Sequence, residues 1–198
     1  QYKRPGLVLS DMDFLEPLLR ERKLQIIFSG KAHPMDDAGK AVLSDIAAAA
    51  GKFPDSIVFL ENYDMDIGRL MTRGCDVWLN NPRRPQEASG TSGMKAAMNG
   101  VLNLSVLDGW WPEACLHGVN GWQFGNGFQS ENQARADRHD LKALKACLIG
   151  EVVPTYYENR SKWTAMMASS INTTREAFSM KRVLEEYYSR MYDTDFQG

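Results

Sequence analysis

The stretch Cys75-Asp76-Val77-Trp78-Leu79, running on through Asn80-Asn81-Pro82-Arg83-Arg84-Pro85-Gln86-Glu87-Ala88-Ser89-Gly90-Thr91-Ser92-Gly93-Met94-Lys95, decides how the chain is read. A short apolar run gives way to a loop of small residues, and that loop leads straight into a helix-forming segment, Thr91 to Asn99, closed by Gly100. The same alternation repeats on both sides. Leu24 to Phe28 reads as a strand ending in Ser29-Gly30. Asp36 to Ala50 reads as a helix with Ala38, Val42, Ile46 and Ala49 at helical spacing and Gly51 as its stop. Ser56 to Leu60 is a second strand, Asp66 to Arg73 a short helix, and Val101 to Val106 and Gly121 to Phe124 are a fourth and a fifth strand. Strands alternating with helices at this spacing predict an α/β fold, a parallel sheet with right-handed crossovers and flanking helices.

From Glu131 onward the strand signal stops. Segments 132–149, 155–172 and 179–192 read as helices, with Pro154 and Asn172-Thr173-Thr174 as breaks. Tyr156, Tyr157, Trp163, Met166, Met167, Tyr187, Tyr188 and Met191 in this tail are expected to fill core or domain-packing positions. Residues 1–150 are thus expected to form a Rossmann-like domain and 151–198 a C-terminal helical extension of that same domain, since no repeat or linker divides them.

Composition narrows the classes of function. The chain has 198 residues, 43% hydrophobic and 24% charged, the profile of a folding globular domain. Twenty-three Lys and Arg against 25 Asp and Glu leave a net charge of −2, so no global basic field collects nucleic acid or an anionic membrane. No apolar stretch approaches the roughly 18 residues of a membrane span. The three cysteines, Cys75, Cys115 and Cys147, are too few and too dispersed for a disulfide framework or a metal knuckle, and point to a reducing cytoplasm. The start Gln1-Tyr2-Lys3-Arg4 carries no initiator Met and no signal layout, so the chain is expected to be a piece of something longer.

In an open parallel sheet, ligands bind beyond the carboxyl ends of the strands, which directs attention to the loop after Leu79. Ala88, Ser89, Gly90, Ser92 and Gly93 let backbone N–H groups come close to a ligand, and the helix start behind them adds the positive end of a dipole. The pattern is not a Walker loop, because Met94 separates Gly93 from Lys95 and Ala96 follows. Thr91 and Lys95 share a helix face, placing an amine one turn in from an anion cradle. A cradle and an adjacent lysine are what covalent attachment of pyridoxal phosphate requires. On residue chemistry alone, plain turn chemistry with an ordinary first-turn lysine stands level with that reading.

The run Glu87-Ala88-Ser89-Gly90-Thr91-Ser92-Gly93-Met94-Lys95-Ala96-Ala97-Met98-Asn99-Gly100 resembles the cofactor-lysine segment of the α-glucan (glycogen, starch, maltodextrin) phosphorylases. Tyr2-Lys3-Arg4, Gly30-Lys31-Ala32 with Pro34, Phe59-Leu60-Glu61-Asn62-Tyr63 and Leu107-Asp108-Gly109 agree in order, so the likeness covers roughly residues 2–125. Ser92-Gly93 and Trp110-Trp111 resemble the shorter bacterial and archaeal branch. The resemblance implies the C-terminal half of a GT-B fold and phosphorolysis of terminal α-1,4-glucosyl units to glucose 1-phosphate with retention. It implies that Lys95 carries pyridoxal phosphate, that the Thr91 and Ser92 backbone binds its phosphate, and that Tyr63 lies beside its ring. Glu87, Ala88, Ser89 and Gly90 would hold glucose hydroxyls, and Lys3 would face the phosphates; Lys95 and Lys3 are the catalytic candidates. The implied partners are α-1,4-glucan, inorganic phosphate and a missing N-terminal domain that supplies the other cleft wall, so the piece alone is expected to be inactive. Oligomeric state stays open, with a homo-oligomeric full-length enzyme among the outcomes.

Two rivals stand beside this reading, a nucleotide-sugar-dependent retaining glycosyltransferase of the glycogen or starch synthase kind and a non-catalytic glucan-binding domain. The stretch Glu113 to Trp122 resembles loops of both enzyme groups. His33, His117 and His139 lack metal spacing and are expected to be structural or on the surface. Asp11, Asp13, Asp36 and Asp37 complement helix starts. Arg83 and Arg84 are expected to steer phosphate rather than only cap strand ends. Residues 132–145 read as a solvated helix of mixed charge, and for Trp110 and Trp111 sugar stacking and interface packing stand equal.

Overall fold

The computed structural model describes residues 2–192. A 3-10 turn, Pro5–Ser10, leads into α1 (Met12–Arg20), which the Asp11 carboxylate caps by accepting from Phe14 N–H. Strands β1 (Ile26–Ser29), β2 (Ile57–Leu60), β3 (Val77–Asn80), β4 (Leu102–Val106) and β5 (Gly121–Phe124) then alternate with α2 (Asp37–Lys52), α3 (Met65–Gly74), α4 (Thr91–Met98) and the short α5 (Trp111–Ala114). Four more helices follow: α6 (Gln133–Cys147), α7 (Val153–Glu158), α8 (Arg160–Ala177) and α9 (Met180–Tyr187). Asp36 caps α2 through Gly39 N–H, in keeping with the helix-start reading of the acidic residues.

The expected parallel α/β architecture is present, but the strands divide into two sheets. β1 pairs with β2, and β3-β4-β5 form a second sheet, every pairing being parallel. One hydrophobic cluster serves both, joining Ile57 of β2 to Leu102, Leu104 and Val106 of β4 and to Trp163 and Met166 of α8. β4 is buried along its whole length, as a central strand covered on both faces must be. Its polar members find partners: the Asn103 side chain donates to Gly93 O (3.0 Å) and accepts from Asn80 Nδ2 (2.9 Å).

Several boundaries depart from the sequence reading. Gly51 lies inside α2, which ends at Lys52 with Phe53 as its C-cap. Pro154 does not break the helical run, because a π-turn over Leu148–Val152 widens the backbone just before it and the proline falls in the first turn of α7, where its missing N–H costs little. Thr173 and Thr174 sit within α8, their hydroxyls donating back to Ser169 O and Ser170 O. Trp163 and Met166 are buried as expected, but Tyr157, Tyr187, Tyr188 and Met191 are exposed. α9 buries no residue.

The thiols are unpaired. Burial raises Cys75 and pushes Cys115 and Cys147 up to about 12. At pH 8 the native thiols Cys115 and Cys147 are expected to alkylate at least about a hundredfold more slowly than in urea, because the reactive thiolate is suppressed. Timed iodoacetamide labelling read by peptide mass checks this.

Candidate active site

The site assembles at the carboxyl end of the β3-β4-β5 sheet, where the loops after β3 and β4 lie against each other. Asp108, just past β4, accepts from Glu87 N–H (3.0 Å), and Trp110 N–H donates to Ser89 O (2.9 Å). These bonds hold the Glu87–Gly90 backbone as a formed ledge rather than a free loop. Gly109 adopts φ +58, and a Cβ there would stand 2.5 Å from Ser89 O, so only glycine permits this approach.

Gly90 turns the chain into α4 with φ +83, and no side chain caps the helix. Gly93 N–H bonds back to Gly90 O, which leaves the first amides, those of Thr91 and Ser92, directed outward at the positive end of the helix. Gly93 is wedged beneath: a Cβ would lie 2.7 Å from Asn103 Oδ1 and 2.9 Å from Trp110 Nε1. Gly93→Ala is therefore expected to destabilise the fold by about 1–3 kcal/mol, seen as a lower thermal midpoint, since the colliding atoms belong to buried, packed side chains. An unchanged midpoint would contradict this packing.

Lys95 stands on the exposed face of α4, one turn in from the outward amides. An uncapped helix start and an exposed amine one turn from it fit the phosphate and carbonyl ends of pyridoxal phosphate. Tyr63, which follows β2, is 39% exposed, and its hydroxyl lies against the backbone at Gly68 of α3; α3 in turn packs on α4.

Lys3 comes from 84 residues away and its ammonium is hydrogen-bonded to the Glu87 carboxylate. Burial works against the Lys3 charge, but the bonds to Glu87 and Tyr2 outweigh it and hold its pKa above the ordinary lysine value. The segment that carries Lys3 is firmly tied. Arg83 N–H donates to Tyr2 O (2.7 Å), and Asn81 Nδ2 donates to Arg4 O (2.7 Å).

Arg83 and Arg84 do not face the site as free phosphate-steering cations. Arg84, its side chain 3% exposed, donates to Asp140 Oδ1 (2.6 Å) and to Phe128 O, and Arg83 pairs with Asp137 (2.7 Å). The helix 133–147 is accordingly not a purely solvated one, because Asp140 is 1% exposed. Trp110 and Trp111 are buried at 4% and 1%, their rings packed against each other at a tilt of 60° and Trp110 edge-to-face with Phe178, so neither is presented to a sugar. Trp110 is the floor beneath Gly90 and Gly93, and the Trp111 ring lies against Gly121. Asn103, Asp137 and Asp140 escaped sequence reasoning, and Asp108 was noted there only as part of Leu107-Asp108-Gly109, not as the acceptor for Glu87 N–H; the one available signal was Asn103, a polar residue inside a strand of otherwise buried character.

The histidines occupy structural or surface positions. His33 Nδ1 accepts from Met35 N–H, His139 stacks on Phe128, and His117 accepts from Gln123 N–H while its Nε2 meets Glu151 (2.9 Å). Among the described residues, no group of three His, Cys, Asp or Glu is placed to hold a metal ion, and no helix is long and apolar enough to cross a membrane.

Comparison with known proteins places this geometry in context. The sequence model described as carbohydrate phosphorylase matches residues 15–147. A maltodextrin phosphorylase of Thermococcus litoralis is 48% identical over 96% of the chain, which covers 23% of that protein. A glycogen phosphorylase of Aquifex aeolicus is 44% identical over 96% of the chain and 28% of its own length. The chain thus spans about a quarter of the length of these relatives. Among solved structures, HepE of Anabaena, crystallised with UDP and glucose, superposes with a TM-score of 0.70 over 97% of the chain and 45% of its own length at 14% identity, a likeness of fold.

Proposed function

Since the chain belongs to the carbohydrate phosphorylase family, we propose that it forms the C-terminal part of a pyridoxal phosphate-dependent α-glucan phosphorylase, which transfers terminal α-1,4-linked glucose to inorganic phosphate with retention. The observation that carries this reading is the meeting of Lys3 and Glu87 on the ledge in front of the uncapped start of α4, with Lys95 one turn behind. In this reading residues 1–150 are the Rossmann-like cofactor-binding part and 151–198 a helical extension of the same domain. A nucleotide-sugar-dependent transferase is the less favoured alternative, because the relatives found at 42–48% identity are phosphorylases.

Glu87, an acceptor-only carboxylate on a rigid backbone, binds two hydroxyls of the terminal glucose, and the polar backbone of Ala88, Ser89 and Gly90 completes the sugar contacts. Lys3 holds inorganic phosphate as a strongly hydrated point charge. In the free site the two side chains neutralise each other; when sugar and phosphate arrive, each exchanges its partner for a ligand. The Thr91 and Ser92 amides would hold the cofactor phosphate and Lys95 the cofactor itself, with Tyr63 available beside it. Bound there, pyridoxal phosphate supplies a phosphate group able to exchange a proton with the substrate phosphate. Buried Trp110 backs the ledge at Gly90 and Gly93.

One wall of the cleft is present in this chain, and the other belongs to an N-terminal domain of the longer protein. The isolated chain is expected to release no more than about a hundredth of the full-length protein's glucose 1-phosphate, because half of the positioning contacts are absent. The test is phosphate-dependent release of glucose 1-phosphate from maltodextrin by the full-length protein and by the chain alone. Failure of the full-length protein would overturn the functional reading. A cytoplasmic location belongs to the same proposal, supported by three unpaired cysteines.

A further inference from the structure

We propose that Asp140 of α6 is a positioning residue for the phosphate site, acting through Arg4 and Arg84 to set where the Lys3 ammonium stands above Glu87; the proposal rests on the phosphorolytic reading above. Lys3 itself is poorly anchored, its side chain 58% exposed with only the Glu87 contact and its neighbour Tyr2 to hold it. Its place is therefore set by the backbone on either side. Arg4, the next residue, is a non-glycine in the left-handed region at φ 46, ψ 53, a conformation that persists only where surroundings impose it.

Those surroundings are a buried guanidinium with almost every donor committed. Arg4 donates from Nε to Asn81 O (2.7 Å), from one terminal nitrogen to Asp137 (2.9 Å), and from the other to Pro82 O (2.9 Å) and Asp140 Oδ2 (2.7 Å). The second oxygen of Asp140 takes Arg84 at 2.6 Å. One carboxylate, 2% exposed at its side chain, thus bridges the segment that bears Lys3 and the segment that enters Glu87 three residues after Arg84. Asp137, on the same face of α6 and 28% exposed, repeats the arrangement more weakly by gripping Arg4 and Arg83. Three guanidiniums converge on these two carboxylates, so removing the Asp140 charge leaves the buried guanidiniums of Arg4 and Arg84 repelling each other. The left-handed turn at Arg4 then loses its clamp and Lys3 shifts. Asp140 touches neither sugar nor phosphate in this scheme.

The test compares Asp140→Asn with wild type in the full-length protein, with rates normalised to bound cofactor. The KM for inorganic phosphate is expected to rise about tenfold while the KM for maltodextrin stays within about twofold, the split a displaced phosphate ligand produces and a loss of folded protein does not. In the cofactor-free protein, acylation of Lys3 by acetic anhydride, relative to exposed Lys31, is expected to rise about threefold as the Glu87 pairing loosens. Unchanged phosphate KM and unchanged Lys3 reactivity in a folded variant would overturn the proposal. Where Asp140→Asn does not fold, Asp137→Asn, at a partly exposed position, is expected to move both readouts in the same direction by a smaller factor, and no movement there overturns it equally. A wild type without phosphorolysis overturns the functional reading instead, and Lys3 reactivity still decides the positioning role.

Discussion

Lys95→Ala is expected to abolish borohydride-fixed incorporation of pyridoxal phosphate and phosphorolysis in the full-length protein, while leaving the fold intact. Wild-type protein incubated with pyridoxal phosphate and reduced should carry the label on Lys95 and on no other lysine, as read by peptide mass. The reasoning combines chemistry and position. Lys95 is exposed on α4 and one turn from amides that no side chain caps, whereas the ammonium of Lys3, the other lysine at this site, is already paired with Glu87. Alanine is the best helix former, and the backbone carbonyl of residue 95 still accepts from Asn99 Nδ2 (2.7 Å), so the substitution removes an amine without a structural penalty. A circular dichroism melt within about 2 °C of wild type should accompany the lost label. Labelling at another lysine, or persistence of the label in the variant, would sink the cofactor assignment.

Arg4→Met carries the largest stability effect. Methionine fills similar space, but it strands Asp137 and Asp140 without one of their cations and leaves Asn81 O and Pro82 O without donors. Breaking a buried pair from one side costs about 3–5 kcal/mol, because the remaining charge stays desolvated. For a chain of this size that corresponds to a fall in thermal midpoint on the order of 10 °C. By contrast, breaking the exposed pair Arg22–Asp55, at 72% and 76% side-chain exposure, is expected to move the midpoint by no more than about 2 °C. A melt of Arg4→Met indistinguishable from wild type would show that the network is not holding the segment.

Much of the fold was legible from local pattern. Gly121–Phe124 coincides with the predicted strand, and Thr91 begins the helix where the glycine-rich loop ends. Where the reading erred, a local backbone adjustment or burial intervened. Pro154 passed through a helix because a π-turn made room for it, and Thr173 and Thr174 stayed helical because their hydroxyls turned back on α8. The tryptophan pair looked equally suited to a sugar or to packing, and burial under the glycine ledge decided for packing.

The loop part of the candidate site was legible as a candidate anion cradle because Glu87 to Lys95 form one stretch of small side chains leading into a helix, whereas Lys3 and Tyr63 come from elsewhere in the chain and entered only through the family resemblance. Alternation of strand and helix likewise needs only local periodicity, so the α/β class follows from the chain as written. What holds the cradle in register depended on the tertiary structure, since Arg4 meets Asp140 across 136 residues and Lys3 meets Glu87 across 84. A mixed-charge helix looks solvated on paper. Which of its carboxylates are buried depends on which face the packed sheet turns inward, and that is set by the whole core rather than by any neighbour in sequence.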